Sequence, residues 1–353
     1  MTNTFLNLIR IGIGNDSNTI PSGIDWMAVY ELAVQQGLSA VVLDGIEQLS
    51  EDYRPPKELL LQWIGETLQS YEQRYELYIR AIADLANWYN LHGIKMMVLK
   101  GYACSLCWPK PEHRPCGDID IWLFGMNNKA DILLSEEKGI EIDNSLHHHT
   151  IFFWQGFMIE NHYDFIDVHH HKSNSKYDLL LKNLGKDDTY FADLYGEKVY
   201  MPSPDLHALF LLRHTMAHFA AEGITMRHIL DWGFFIKKYN NSIDWPKLMD
   251  AINLFGMKDV FCIFNSICVK KLGFESSLFP SIECEAEIME KVLEDILSSN
   301  CTNNLPGKLI PRVIFKLQRW NSNSWKHKLC YKESMWNSFC TGVWDHILKP
   351  KSI

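Results

Sequence analysis

Between Ile64 and Tyr89 apolar residues recur at alternating spacings of four and three: Ile64, Leu68, Tyr71, Tyr75, Tyr78, Ile82, Leu85 and Tyr89. This heptad seam, which starts after Pro55-Pro56 and stops at Gly93, predicts a helix of about nine turns packed along one stripe. Upstream, Asp25 caps a helix with the stripe Trp26, Val29, Tyr30 and Ala33, ended by Gly37, and a short helix follows to Leu49. Residues 1–20 show little periodicity and predict no element. After Gly93 the pattern shortens to strands at Ile94–Leu99, Asp118–Phe124, Ile140–Asp143, Thr150–Gln155 and Tyr163–His169. Helices at Tyr102–Trp108, cut by Pro109, and at Asn127–Lys138, closed by Gly139, lie among them. Helical periods return at Ser203-Pro204-Asp205 and run to Ala221, then over Thr225–Tyr239, Trp245–Phe255, Asp259–Leu272 and Glu283–Leu297. The expected fold is α+β, a small mixed β-sheet core at 93–200 flanked by helical regions at 1–92 and 201–353.

Composition adds bounds rather than chemistry. Of 353 residues 47% are apolar and 22% charged, enough for a sizeable core without covalent staples. The odd set of nine cysteines and the lack of an apparent leader predict a reducing cytoplasm. No run approaches the roughly 20 apolar residues of a spanning helix. A net charge of −9 disfavours general nucleic-acid binding, which draws on basic contacts to phosphates. The surface suited to such binding, or to an acidic partner, is the tail after Leu305. There Lys308, Arg312, Lys316, Arg319, Lys326, Lys328, Lys332, Lys349 and Lys351 interleave with Trp320, Trp325, Trp336 and Trp344. The plainer expectation is a tail that packs its tryptophans on the acidic body.

The chemistry begins at Gly117-Asp118-Ile119-Asp120-Ile121. A strand sends alternate side chains to opposite faces, so Asp118 and Asp120 share one face while Ile119 and Ile121 enter a core. Two carboxylates held together repel unless one is protonated or a cation lies between them, and Mg²⁺ (or Mn²⁺) with its oxygen ligands suits that place. The predicted strand Tyr163–His169 would bring Asp167 to a shared face with His169, a third carboxylate able to complete a two-metal site or accept a proton.

Together, Val98-Leu99-Lys100-Gly101, Arg114 three residues before Gly117-Asp118-Ile119-Asp120-Ile121, and Ile166-Asp167-Val168-His169 resemble the polymerase-β-type nucleotidyltransferase superfamily. More narrowly they are similar to the bacterial family of uncharacterised nucleotidyltransferases, which continues into helices like His214-x-x-x-His218 and Arg227-x-x-x-Asp231. The resemblance covers about Trp26 to Lys237. It implies a Mg²⁺-dependent enzyme that moves a nucleoside monophosphate from a triphosphate such as ATP to an acceptor. Asp118, Asp120 and Asp167 would be the catalytic, metal-binding carboxylates. Lys100 and Gly101, which stand where the superfamily has a Gly-Ser or Gly-Gly turn, would hold phosphates, and His169 would contact phosphate or base. Arg114 suits a bidentate phosphate contact or a salt bridge to a nearby carboxylate. His214 and His218, one turn apart, line the cleft or sit satisfied in a helical core. Arg227 and Asp231 enter the site on the resemblance alone.

Two further metal readings arise. Cys104-x-x-Cys107 with His113 and Cys116 has zinc-type ligands, but in an apolar helical setting where buried thiols are ordinary packing. The runs His147-His148-His149 and His169-His170-His171 are expected not to serve one ion, because strand neighbours face opposite ways. Two other functions use the same residues: a non-catalytic binding module of antitoxin type on this fold, and a metal-dependent phosphoester hydrolase with water as acceptor.

Overall fold

A computed structural model describes residues 1–15, 21, 23–169, 171–298, 315 and 318–333. Six strands form one mixed sheet in the order β3-β4-β2-β1-β6-β5. They are β1 (Met97–Val98), β2 (Ile119–Trp122), β3 (His149–Trp154), β4 (Phe157–His162), β5 (Phe191–Leu194) and β6 (Glu197–Tyr200). β1 pairs antiparallel with β2 and parallel with β6, while β2 runs parallel to β4, with Asp120 beside Glu160 and Trp122 beside His162.

Helices cover both faces. On one, α5 (Arg74–Leu91) lays Tyr78, Ile82, Leu85 and Tyr89 on Val98, Ile119, Ile121, Phe152, Ile159 and Val199, with α7 (Asn127–Lys138) alongside. On the other, Met97, Leu99 and Trp122 join a larger core shared by helices from both ends of the chain. From the N-terminal side come α1 (Thr2–Gly12), α2 (Trp26–Gln35) and α3 (Ser39–Glu47). From the C-terminal side come α9 (Pro204–Ala221), α10 (Met226–Tyr239), α11 (Trp245–Leu254), α12 (Lys258–Lys270) and α13 (Ala286–Ser298). Gln36, fully buried, links the two sides: its side chain donates to Ile296 O (3.1 Å) and accepts from Met226 N (2.8 Å).

The expected long helix is present but dephased. Lys57–Glu66 (α4) passes through a π-helical stretch, Thr67–Gln73, into α5. A π turn takes up an extra residue and rotates the faces of the helix beyond it. Trp63, Thr67 and Tyr71 therefore face inward in place of Ile64 and Leu68, and Leu68 is 45% exposed. Residues 2–12, expected to form no element, are helical with Phe5, Leu8 and Ile9 fully buried. Weak helix formers (Thr2, Asn3, Thr4 and Asn7) mask that stripe. Gly45 allows α3 to lie directly on α1, since a Cβ there would stand 2.1 Å from Leu8 O.

The expected strand Tyr163–His169 is absent. β2 offers four residues for pairing, and β4 uses them with Ile159–His162, so the chain from Tyr163 onward has no ladder to join and bends away. The short helix expected at Tyr102–Trp108 stops at Ser105 (α6, Tyr102–Ser105), and Ile140–Asp143 contributes one bridge, Asp143 to Ile151. A helix at Lys172–Leu184 (α8) precedes β5. In the tail, α14 (Ser324–Cys330) returns to the body: Trp325 packs edge-on to Phe219, and Lys326 pairs with Asp295 at 2.7 Å. Lys308, Arg312, Lys316, Trp336, Trp344, Lys349 and Lys351 lie outside the described residues. No helix among the described residues is long and apolar enough to cross a membrane.

Candidate active site

β1 runs on into Lys100 and Gly101, and its ladder with β2 continues one step, with Leu99 N donating to Asp120 O at 3.0 Å. Gly101 turns with φ +53°, and a Cβ there would meet the Tyr78 hydroxyl at 2.3 Å. That hydroxyl donates to the Asp118 carbonyl at 3.0 Å, so the α5 stripe fixes the backbone of the acidic strand.

Four of the predicted residues, Lys100, Asp118, Asp120 and His214, meet here. The Lys100 ammonium lies 2.8 Å from Asp120 Oδ1 and 4.0 Å from Asp118 Oδ2, the cation that two neighbouring carboxylates require. It also donates to Nε2 of His214 at 3.2 Å. Burial would lower the Lys100 pKa, but Asp120 and then Asp118 outweigh it and hold the ammonium charged. His214 is pushed well below its ordinary value by burial and by Lys100, so it accepts as a neutral ring. Asp120 is 1% exposed, and its Oδ2 has no hydrogen-bond partner, whereas the Asp118 side chain is 36% exposed.

β4 adds two residues that the sequence reading missed. Glu160 is the carboxylate beside Asp120, and His162 places Nε2 3.1 Å from Asp120 Oδ1 and 3.5 Å from Glu160 Oε2. The desolvation of His162 is overcome by its bonds to Asp120 and Glu160, and its pKa rises to about 9. Burial would raise Glu160, yet the His162 bond and Lys100 bring it down to about 2. The usable signal was Gln155-Gly156 between Trp154 and the alternating Phe157 and Ile159: both turn residues have positive φ, as a two-residue hairpin requires.

The remaining predicted residues fall around this group. Asp167 lies in the bent segment, where its carboxylate accepts from His169 N at 2.8 Å and its carbonyl from Asn174 at 2.5 Å. His169 is exposed and packs its ring 5.2 Å from that of His147. Arg114 forms a buried bidentate pair with Asp231, Nε to Oδ1 at 2.7 Å and Nη2 to Oδ2 at 2.9 Å, and Trp108 Nε1 also donates to Asp231 Oδ1. Of the two roles open to Arg114, the salt bridge is the one formed. Arg227 stands next to this pair, its pKa lowered by burial and by Arg114. His218 stacks edge-on to His214 and lies 3.8 Å from Glu222. Among the described residues Cys104, Cys107, His113 and Cys116 form no ligand-spaced group: the Cys104 thiol meets His207 Nε2 at 3.5 Å, Cys107 donates to Ala103 O, Cys116 to Arg114 O, and His113 pairs with Asp44.

Residues 22–273 match the family described as Uncharacterised nucleotidyltransferase, a span well over half of the chain. The chain belongs to this family. Its acidic pair, the Lys100-Gly101 turn and the His214 and Arg227 helices all lie inside the matched span. A crystal structure of an antigenic nucleotidyltransferase-like protein from Paracoccidioides brasiliensis is similar at 15% identity and a TM-score of 0.33, over 56% of this chain and 92% of that one. No curated protein matches.

Proposed function

We propose that this member of the family moves a nucleoside monophosphate from a nucleoside triphosphate to a hydroxyl-bearing acceptor and releases pyrophosphate. The observation that carries the reading is the Asp118–Asp120 pair closed by a cation, with a buried Asp120 oxygen left without a partner. Hard carboxylate oxygens around an orphaned, buried oxygen fit a divalent ion such as Mg²⁺ or Mn²⁺. Asp118 and Asp120 would hold it, and Glu160, on the adjoining strand, is the carboxylate best placed to complete the set; Asp167 keeps that role open from its loop. When bound, the ion would neutralise charge that develops on the triphosphate.

The protein's own groups do the rest. Lys100, beside both carboxylates, would turn its ammonium to the phosphates, while neutral His214, 3.2 Å away, accepts its hydrogen bond. Gly101 turns the chain next to that ammonium, and phosphate contact through its backbone remains its proposed role. Arg114 and Asp231, locked to each other, hold the loop that leads into the acidic strand instead of touching substrate. For His218 beside His214, Arg227 beside the Arg114–Asp231 pair and the exposed His169, nucleotide contact remains the proposed role.

The test is transfer from α-labelled triphosphates in Mg²⁺ to acceptors in fractionated extract, beside Asp118→Asn. Labelled acceptor with matching pyrophosphate, lost in the variant, supports transfer. Nucleotide breakdown without acceptor would assign the site to hydrolysis, and tight binding without turnover to a non-catalytic module.

A further inference from the structure

A strand running through His147-His148-His149 would scatter the three side chains to opposite faces. β3 begins only at His149, and His147 and His148 lie in the bend before it. His148 and His149 consequently converge on His162 of β4. Ring centroids are 4.2 Å apart for His148 and His149, 5.0 Å for His149 and His162, and 5.7 Å for His148 and His162. One nitrogen from each ring lies within 4.8 Å of the other two.

The hydrogen bonding of these rings is incomplete in a specific way. His149 is 5% exposed, yet neither Nδ1 nor Nε2 has a hydrogen-bond partner, and Nδ1 of His148 is buried in the same condition. A buried polar group left unpaired costs about 1–3 kcal/mol, so three in one place ask for a ligand. His162 is oriented for one. Its Nδ1 donates to the Asp164 carbonyl at 3.2 Å, a backbone contact that commonly fixes metal-binding histidines, and its Nε2, now 3.1 Å from Asp120 Oδ1, would exchange its proton for the metal. The His148 carbonyl accepts from both Tyr163 N and Asp164 N at 3.1 Å, tying the bend to the same loop.

We propose that His148, His149 and His162 form a site for a d-block divalent cation of the zinc class, distinct in chemistry from the oxygen-lined Asp118–Asp120 pair. Imidazole nitrogens select zinc and its neighbours, whereas Mg²⁺ selects oxygen. A tetrahedral zinc with Zn–N bonds near 2.0–2.1 Å spaces its ligand atoms about 3.3 Å apart, so the rings close by no more than about 1.5 Å. Glu160 borders the group, 3.8 Å from His149 Nε2 and 3.5 Å from His162 Nε2, and supplies compensating charge. The site adjoins the acidic strand through Glu160 and the His162–Asp120 contact, but its zinc uptake can be read without any nucleotidyl transfer.

The test uses the whole chain stripped with a chelator, titrated calorimetrically with Zn²⁺ alone and, in parallel, with Co²⁺ followed by its visible absorption. Wild type and Asp118→Asn are expected to bind one equivalent, and His148→Ala and His149→Ala to bind at least about tenfold more weakly with loss of the Co²⁺ spectrum. Melting of each metal-free variant checks folding. If His149→Ala does not fold, the partly exposed His148→Ala carries the decision. No zinc uptake by wild type, or wild-type affinity in His148→Ala, would overturn the proposal.

Discussion

Removing the Asp120 side chain should destabilise the metal-free protein, although Asp120 belongs to a pair of like charges. Their repulsion is already answered by Lys100, 2.8 Å from Asp120 and 4.0 Å from Asp118, and Asp120 also faces His162 at 3.1 Å. Asp120→Ala would strand two buried cationic groups. Breaking a buried ion pair by deleting one partner costs about 3–5 kcal/mol. An independent figure agrees: the rise of the His162 pKa to about 9 from an ordinary 6.5 corresponds to about 3 kcal/mol of preference for the charged ring, shared between Asp120 and Glu160. Asp118, 36% exposed and farther from the ammonium, should lose no more than about 1 kcal/mol on the same change. At about 2 °C per kcal/mol for a chain of this length, Asp120→Ala should melt roughly 6–10 °C below wild type and Asp118→Ala within about 2 °C. Differential scanning calorimetry in chelator measures both. Equal melting of Asp120→Ala and wild type would refute the claim that Lys100 and His162 depend on Asp120.

The His162 contribution also sets a pH dependence. Its folded pKa lies above its unfolded value, so its stabilisation is fully present below about pH 6.5 and lost as pH rises through about 9; metal-free wild type should lose melting temperature across that window more steeply than His162→Gln. At the second buried pair, Asp231→Ala should cost about 3–5 kcal/mol, while Arg114→Met with Asp231→Leu should recover most of it, read by denaturant unfolding of wild type and the two variants. Glu160→Gln and Asp167→Asn separate the two candidates for the third carboxylate: a Glu160 role predicts at least about a hundredfold loss of transfer in the first and less than about tenfold in the second.

The sequence reached the α/β alternation, the α5 stripe and the acidic strand, because each rests on local periodicity: Ile119 and Ile121 face α5 while Asp120 faces Lys100 and His162. It did not reach what depends on pairing partners. β4 competes in the sequence with the apolar positions at Tyr163–Ile166, and only the length of β2 decides that the ladder ends at His162. Glu160 and His162 were missed for that reason. The Arg114–Asp231 bond joins residues 117 apart and was open in the sequence between phosphate and carboxylate. The phase of the seam before Tyr71 was lost to a π turn that no side-chain pattern marks.

The most direct measurement is a thermal shift with the four nucleoside triphosphates, with and without Mg²⁺, on wild type beside Asp118→Asn, whose own stability should be near wild type. Ligand that binds only the folded chain adds RT ln(1 + [L]/Kd), about 2.7 kcal/mol at 100 Kd. The account predicts a Mg²⁺-dependent rise for at least one triphosphate in wild type and its loss in Asp118→Asn. An equal rise in both proteins, or none with any triphosphate in the millimolar range, would contradict a nucleotide and metal site on the acidic strand.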